Sequence, residues 1–355
     1  MDRRPYALLG MLCLVVAGCS HCSPLRMQAC MTAHTYTYTP KDNTAPRMGV
    51  VALPPQTPYC NGYKVALIDV DGLLFNRNYT GIDSMGENPV GLFREKLEAA
   101  TRDPSIRAVV LRINSPGGGV TASDIMRRDL VQFKRITGLP VIACLMDVGA
   151  GGGYYLATAA DRIVALPTSV TGGIGCVFNV YSLTSAMQEQ GVFPAVIRSG
   201  ERIDMGSPVS QTDDRVEVVE QSAEMLEKMA QEFHNRFREV VEHSRPALHM
   251  TEEDWDGRVF TATQAHAKGL IDEVAYLDDA IAIAQNVSGA GPAARTVMFR
   301  RSNDRAYSQY EITPNIPATT AGLPMSIPGL DRARMPMFLY LWQPEPTLEK
   351  VGRQY

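Results

Sequence analysis

The stretch "VIACLMDVGAGGGYYLATAA", residues 141–160, decides the fold. An apolar run at 141–146 meets four glycines around one alanine at 149–153. Two tyrosines and an alanine-rich segment follow. The run predicts a buried strand, and the segment from about Gly152 predicts a helix. Between them the glycines permit a turn too sharp for residues that carry a Cβ. Many hydrolases hold an attacking side chain at such a strand–turn–helix junction. Here the junction offers only hydrogens and a methyl group.

The same alternation continues on either side. "VALIDV" at 65–70, closed by Asp71-Gly72, and "AVVLRI" at 108–113 predict two more buried strands, and residues 163–166 a short one. Helical spacing runs through Leu92, Phe93 and Leu97 at 89–101, and through Ile125, Leu130 and Phe133 at 122–136. Strands alternating with helices predict an α/β layer with largely parallel pairing. Residues 188–197 are expected to turn into a further strand. The longest helical pattern covers 212–243, where Val216, Val219, Leu226, Met229, Phe233, Phe237 and Val240 recur every three to four residues. Residues 210–213 resemble a capping box at its start. That stripe suits packing on its own core or docking on a neighbouring subunit. A short helix is expected near 278–285.

Both ends differ in composition. Arg3 and Arg4 precede an apolar core at 7–17, too short to span a bilayer, and then "VAGC" at 16–19. The order resembles a bacterial lipobox, which implies a signal peptide at 1–18 and a lipid on Cys19 as the mature N-terminus. An ordinary signal with a chance cysteine is the plainer alternative. Ser20, where Asp would retain the protein at the inner membrane, resembles the outer-membrane sorting choice, on the periplasmic side. Residues 19–62, rich in Thr, Pro and Tyr, read as a tether with one short strand at 48–53. Residues 287–355, rich in Pro, Gly and Arg, read as an extended arm. Its late apolar cluster "MFLYLW" at 337–342 suits docking on the domain. The domain itself is expected at 63–286.

Composition narrows the function. Hydrophobic content of 45% and charged content of 20% suit an ordinary globular protein. A net charge of −4 gives no electrostatic reason to expect nucleic acid. Of seven cysteines, Cys13 leaves with the signal. Two of Cys22, Cys30 and Cys60 suit a disulfide in an oxidising compartment, in a pairing the sequence does not decide. Cys144 and Cys176 read as buried and inert. There is no metal-type cysteine pair, and the six histidines fit no HExxH pattern, so neither a metal nor a cofactor is expected.

Three glycine-rich turns are expected after strands: "NSPGGG" at 114–119, the turn at 149–153, and "GGIG" at 172–175. Backbone amides at such turns suit an anion or an oxyanion. Phosphate is the obvious rival, but GxxxxGK[ST] is absent and no GxGxxG follows the first strand. Any one of these turns is explained by chain reversal alone. The three in this order are harder to dismiss.

That order resembles the signal peptide peptidase A family of serine peptidases. The matching stretches are "LRINSPGGGVTASDIM" (family pattern close to DSPGG), "AGGGYYLATAADRIVA" (SGGYY), "TGGIG" (GSIG), "SGERIDMG" (SGxYKD) and "GRVFTATQAHAKGLIDE". The likeness runs from about Val65 to Ala284. It implies the stacked β/α spiral shared with Clp protease and the crotonases, and ring-like oligomers that cleave peptides left in membranes. The family nucleophile, the Ser of SGGYY, falls on Gly151. The family base, the Lys of SGxYKD, falls on Ile203. The serine position of GSIG holds Gly173. Gly117 and Gly118, with Gly152 beside them, match the positions that supply the oxyanion hole and hold the peptide.

A serine–lysine pair needs a hydroxyl that attacks and a neutral amine that takes its proton. Glycine has neither, isoleucine accepts no proton, and the adjacent Arg202 stays protonated. Three readings follow. The first is an inactive family member, lipid-anchored, that binds peptides as a homo-oligomer or assembles with an active relative. The second is a peptidase with a relocated nucleophile among Ser115, Thr121, Ser123, Thr158, Ser169 and Thr171, most of which read as turn or cap residues. The third is a crotonase-like enzyme acting on an acyl thioester, which export disfavours because coenzyme A is expected inside the cell.

Overall fold

The framework follows from the apolar runs. A computed structural model of the chain describes residues 49–52, 61–81, 84–179, 184–193, 195, 197–200, 203–207, 216–301, 308–311 and 338–342. Its strands are β1 (Gly49–Ala52), β2 (Lys64–Leu74), β3 (Tyr79–Gly81), β4 (Ser84–Glu87), β5 (Ile106–Gly119), β6 (Val141–Ala150), β7 (Arg162–Ala165), β8 (Val170–Gly172), β9 (Val259–Thr261), β10 (Glu273–Val274), β11 (Arg295–Arg300) and β12 (Leu339–Leu341). Its helices are α1 (Pro89–Arg102), α2 (Val120–Thr137), α3 (Gly152–Ala157), α4 (Thr184–Glu189), α5 (Val216–Ser244), α6 (Ala262–Ala267) and α7 (Leu277–Val287).

Ten strands form one sheet, in the order β1-β11-β2-β5-β6-β7-β10, with β12 on β5 and β8 and β9 branching from β6. From β11 to β10 every pairing along that path is parallel. A parallel sheet is covered on both faces, so its strands read as continuous apolar runs. Alternate residues of β2 divide between two cores. Ala66, Ile68 and Val70 join Phe93, Leu97, Met126, Leu130 and Phe133 from α1 and α2. Val65 and Leu67 join Leu277, Ala280, Ile281 and Ala284 of α7 on the opposite face. The fold is α/β with a mostly parallel sheet.

Several elements differ from expectation. β5 continues through Gly119 and β6 through Ala150, so two of the expected glycine turns begin inside the ladder. Glycine still supplies an N–H and a C=O, so the ladder can run through Gly117–Gly119 against β12 and Gly149–Ala150 against β8. No strand forms among the described residues of 188–197, which instead finish α4 and continue irregularly. The stretch read as an arm contributes β11, which pairs β2 and carries β1 on its outer edge. The sheet therefore reaches past residue 286. The possible capping box at 210–213, the signal segment, Cys19, Cys22, Cys30 and Cys60 lie outside the described residues.

Helix α5 divides the two readings of its apolar stripe. Phe237 and Val241 are buried in the domain's own core, with Phe233 and Val240 packed against it. Towards its N-terminus Met225 and Met229 are each 39% exposed.

Candidate functional site

The C-terminal ends of β5 and β6 bring the glycine turns together. At Gly151 the chain holds φ 51° and ψ −124°, and α3 begins at the next residue. A side chain there is strained. The Gly151 N–H donates to the Gly172 carbonyl at 2.9 Å, which ties the second turn to the third. The two tyrosines that follow are both buried and both anchored. The Tyr154 hydroxyl donates to the Leu270 carbonyl at 2.8 Å, and the Tyr155 hydroxyl to Asp124 Oδ1 at 2.8 Å.

Asp124 also accepts from Arg236 of α5 at 2.8 Å. Burial by itself would raise its carboxyl, but the hydrogen bonds from Arg236 and Tyr155 outweigh that and hold it below the ordinary carboxylate range. Burial, then the bond to Asp124, pushes the Tyr155 hydroxyl up to about 12.

The cradle expected at Gly117, Gly118 and Gly152 is occupied. Strand β12 pairs antiparallel with the end of β5, with Leu339 opposite Gly119, Tyr340 opposite Gly118 and Leu341 opposite Gly117. A Cβ placed on Gly151 would lie 2.4 Å from the Tyr340 oxygen and 2.8 Å from its carbonyl carbon. A Cβ on Gly117, where φ is 110°, would lie 1.9 Å from that same oxygen and 2.6 Å from the Gly152 nitrogen. The Tyr340 carbonyl thus sits where the side chains of both positions would project. The Gly117 N–H is bonded within its own turn, to Ser115 Oγ at 3.1 Å.

The hydroxyls near the turns are committed to the backbone. Ser115 donates to Gly72 O at 2.6 Å, Ser123 to Gly119 O at 3.0 Å and Thr158 to Tyr155 O at 2.7 Å. Ser169 donates to Leu145 O at 2.9 Å and Thr171 to Gly149 O at 2.7 Å. Thr121 is exposed. Thr158 Oγ1 additionally accepts from Arg127. The thiols are equally quiet: burial pushes Cys144 up to about 12 and Cys176 up to about 11, far from thiolate at neutral pH.

Ile203 lies away from cover, 71% exposed, beside an Arg198–Asp204 ion pair at 2.9 Å. A lysine at that position would be solvated and would keep its proton at neutral pH. Arg202 falls outside the described residues. Among the described residues no group of three or more His, Cys, Asp or Glu is arranged to hold a metal, and no helix is long and apolar enough to cross a membrane.

Sequence reasoning alone did not reach Tyr155, Asp124, Arg236 and Phe237 as neighbours of the cradle, nor Tyr340 as its occupant. The available signals were the "MFLYLW" cluster and the aromatic positions of the α5 stripe.

Residues 134–290 match the model described as Peptidase family S49. The chain is 32% identical over 239 residues to "Serine protease SPPA, chloroplastic" of Arabidopsis thaliana, covering 67% of this chain and 33% of that protein. It is 26% identical over 219 residues to "Putative signal peptide peptidase SppA" of Enterococcus faecium, covering 61% and 62%. With "Protease 4" of Salmonella typhi it shares 30% over 237 residues, covering 66% and 36%. The chain thus spans from a third to just under two thirds of the length of these relatives. Among solved structures, a ClpP1 mutant from Listeria monocytogenes aligns with a TM-score of 0.37 and 13% identity, over 61% of this chain and 94% of that one.

Proposed function

We infer that this chain is an SppA-type member of the S49 peptidases without serine–lysine chemistry, one that holds extended peptides at the junction of β5, β6 and α3; the match of residues 134–290 to Peptidase family S49 and the SppA and Protease 4 relatives support the family part of this reading. The observation that carries this reading is Gly151. It keeps the sharp turn that presents a family nucleophile, yet has no side chain there, and its place is filled by the Tyr340 carbonyl. Ile203 supports the same reading, since its side chain accepts no proton. A relocated nucleophile is less well supported. Its buried candidates all donate to backbone carbonyls, so their protons are not directed at a base.

The test is labelling of the purified chain with a fluorophosphonate probe, alongside an active S49 peptidase. We expect no labelling of this chain; a strong signal would overturn the reading.

The protein is further proposed to be exported and held at the membrane by lipid on Cys19, on the periplasmic side of the outer membrane. The support is the order of basic, apolar and lipobox segments. Radiolabelled palmitate should enter the wild type and not Cys19→Ala. Self-assembly, or assembly with an active relative, is supported by the exposed Met225 and Met229 on α5 and by the exposed Val192, Phe193 and Ile197.

A further inference from the structure

Residues 338–342 lie in the cradle as an extended ligand would. Bonds to β5 run through alternate residues: the Val120 N–H donates to Phe338 O at 3.1 Å, and the Trp342 N–H to Pro116 O at 3.0 Å. In an antiparallel ladder bonded pairs recur every second residue, so Tyr340 and Gly118 face each other at the intervening bonded position. The opposite edge is held as well. Leu339 exchanges two hydrogen bonds with Val177, both at 2.9 Å. A short segment bonded along both edges is the geometry of peptide recognition by strand addition, in which main-chain bonds hold the ligand and pockets for alternate side chains select it.

The pockets are defined. Tyr340 and Phe338 share a face, as residues two apart in a strand do. The Tyr340 ring is fully buried, 5.2 Å from the Tyr155 ring and 4.8 Å from that of Phe237, centroid to centroid. Its hydroxyl donates to the Phe233 carbonyl at 2.7 Å, so the far end of the pocket is built for a phenol. Phe338 packs on Phe178 at 4.6 Å and on Phe233 at 5.0 Å. The missing side chain at position 151 is what admits this strand, because a Cβ there would meet its backbone.

We propose that residues 338–342 are the resident ligand of the groove, closing it to other peptides, and that the peptides which displace them are extended segments carrying a tyrosine or similar aromatic at the place of Tyr340. This rests on reading the groove as a peptide site. A tethered strand acts at an effective concentration on the order of millimolar, so an untethered copy of the same sequence competes poorly until the strand is weakened.

The experiment uses the full chain and a fluorescent peptide of the sequence MFLYLW, followed by anisotropy. Tyr340→Ala empties the aromatic pocket. Trp342→Pro removes the amide that bonds Pro116 and leaves that pocket filled. The wild type should bind the peptide weakly. Tyr340→Ala should bind it at least about tenfold tighter and Trp342→Pro about fivefold tighter, while a peptide with Ala in place of Tyr should bind none of them.

Equal binding by the wild type and both variants would overturn the occupancy, as would a variant with wild-type circular dichroism that gains no affinity. Should Tyr340→Ala not fold, Trp342→Pro decides on the same criteria. Fluorophosphonate labelling of the same samples keeps the two claims apart. Labelling of an opened variant that binds peptide tightly would overturn inertness and leave the occupancy standing. Tight binding to the wild type would end the occupancy and leave the groove a peptide site.

Discussion

Gly151 holds a backbone conformation that strains any residue with a side chain by about 1–3 kcal/mol, before the Tyr340 carbonyl is considered. Gly151→Ser should therefore lower stability by at least about that amount in urea denaturation, and give no probe labelling by itself. A Gly151→Ser chain as stable as the wild type would mean that β12 does not lie on this turn. Adding Ile203→Lys supplies both residue types of the proposed serine–lysine pair. At an exposed position lysine keeps an ordinary pKa of about 10.4, so it is protonated at neutral pH. The double variant should then show only trace hydrolysis at pH 7, rising as the amine deprotonates between about pH 9 and 10.5; hydrolysis already maximal at pH 7 would mean that position 203 is dry. Elsewhere, Lys96 forms a buried ion pair with Asp69 at 2.8 Å. Lys96→Met removes this hydrogen-bonded pair but leaves Asp69 its 3.9 Å ion pair with buried Arg112, so it should cost less than the roughly 3–5 kcal/mol of a fully uncompensated buried charge, read from the denaturation midpoint.

Helix α5 shows what periodicity reveals and what it leaves open. The repeat of apolar residues identified Phe233, Phe237 and Val240 as one stripe, but the same spacing serves an internal core and a subunit contact equally. Tertiary packing buries the C-terminal half of the stripe against α3 and β12 and leaves Met225 and Met229 exposed. Phe237 is wholly buried, with the Tyr155 ring edge-on at 5.0 Å. Phe237→Ala should cost about 3–5 kcal/mol in thermal or chemical denaturation. It should also loosen residues 338–342, seen as faster amide exchange there than in β2. The ends of β5 and β6 were misjudged because glycine signals a turn by composition, whereas a neighbouring strand can still satisfy its backbone. Near residue 190 the error ran the other way, since a strand needs a partner and none pairs there among the described residues. Farther along, the 3₁₀ turn Glu252–Trp255 is tied to α6 by Asp254 and Lys268 at 2.7 Å. The hydrogen bond from Lys268, then those from Thr251, lower the Asp254 carboxyl to about 2. A carboxyl lowered on folding stabilises above its unfolded value near 4 and loses that contribution as pH falls towards 2. Asp254→Asn should flatten this part of the acid limb in a stability–pH profile; an unchanged limb would mean that the bond does not form.

At the scale of the molecule, the sheet draws on both ends of the described chain. β1 from the expected tether and β11 from the expected arm complete its edge, and β12 returns to its middle. Proposed assembly can be tested at this scale. Met225→Asp with Met229→Asp removes an exposed apolar surface without touching the core, so the chain should keep its circular dichroism and sediment as a smaller species. An unchanged sedimentation coefficient would exclude this part of α5 as the contact.

The alternation of apolar runs with helical spacing was enough, unaided, to specify an α/β layer, because burial on both faces of a parallel sheet demands continuous apolar strands. The ordered glycine motifs were enough to suggest the family and, through that resemblance, the serine and lysine expected where Gly151 and Ile203 stand. What fills the vacated position was legible only in three dimensions. Residues 118 and 340 are far apart along the chain, and a backbone hydrogen bond between them leaves no mark on either residue's type. The exposure of Ile203 and the carbonyl partners of the nearby hydroxyls are likewise products of packing, which local composition does not encode.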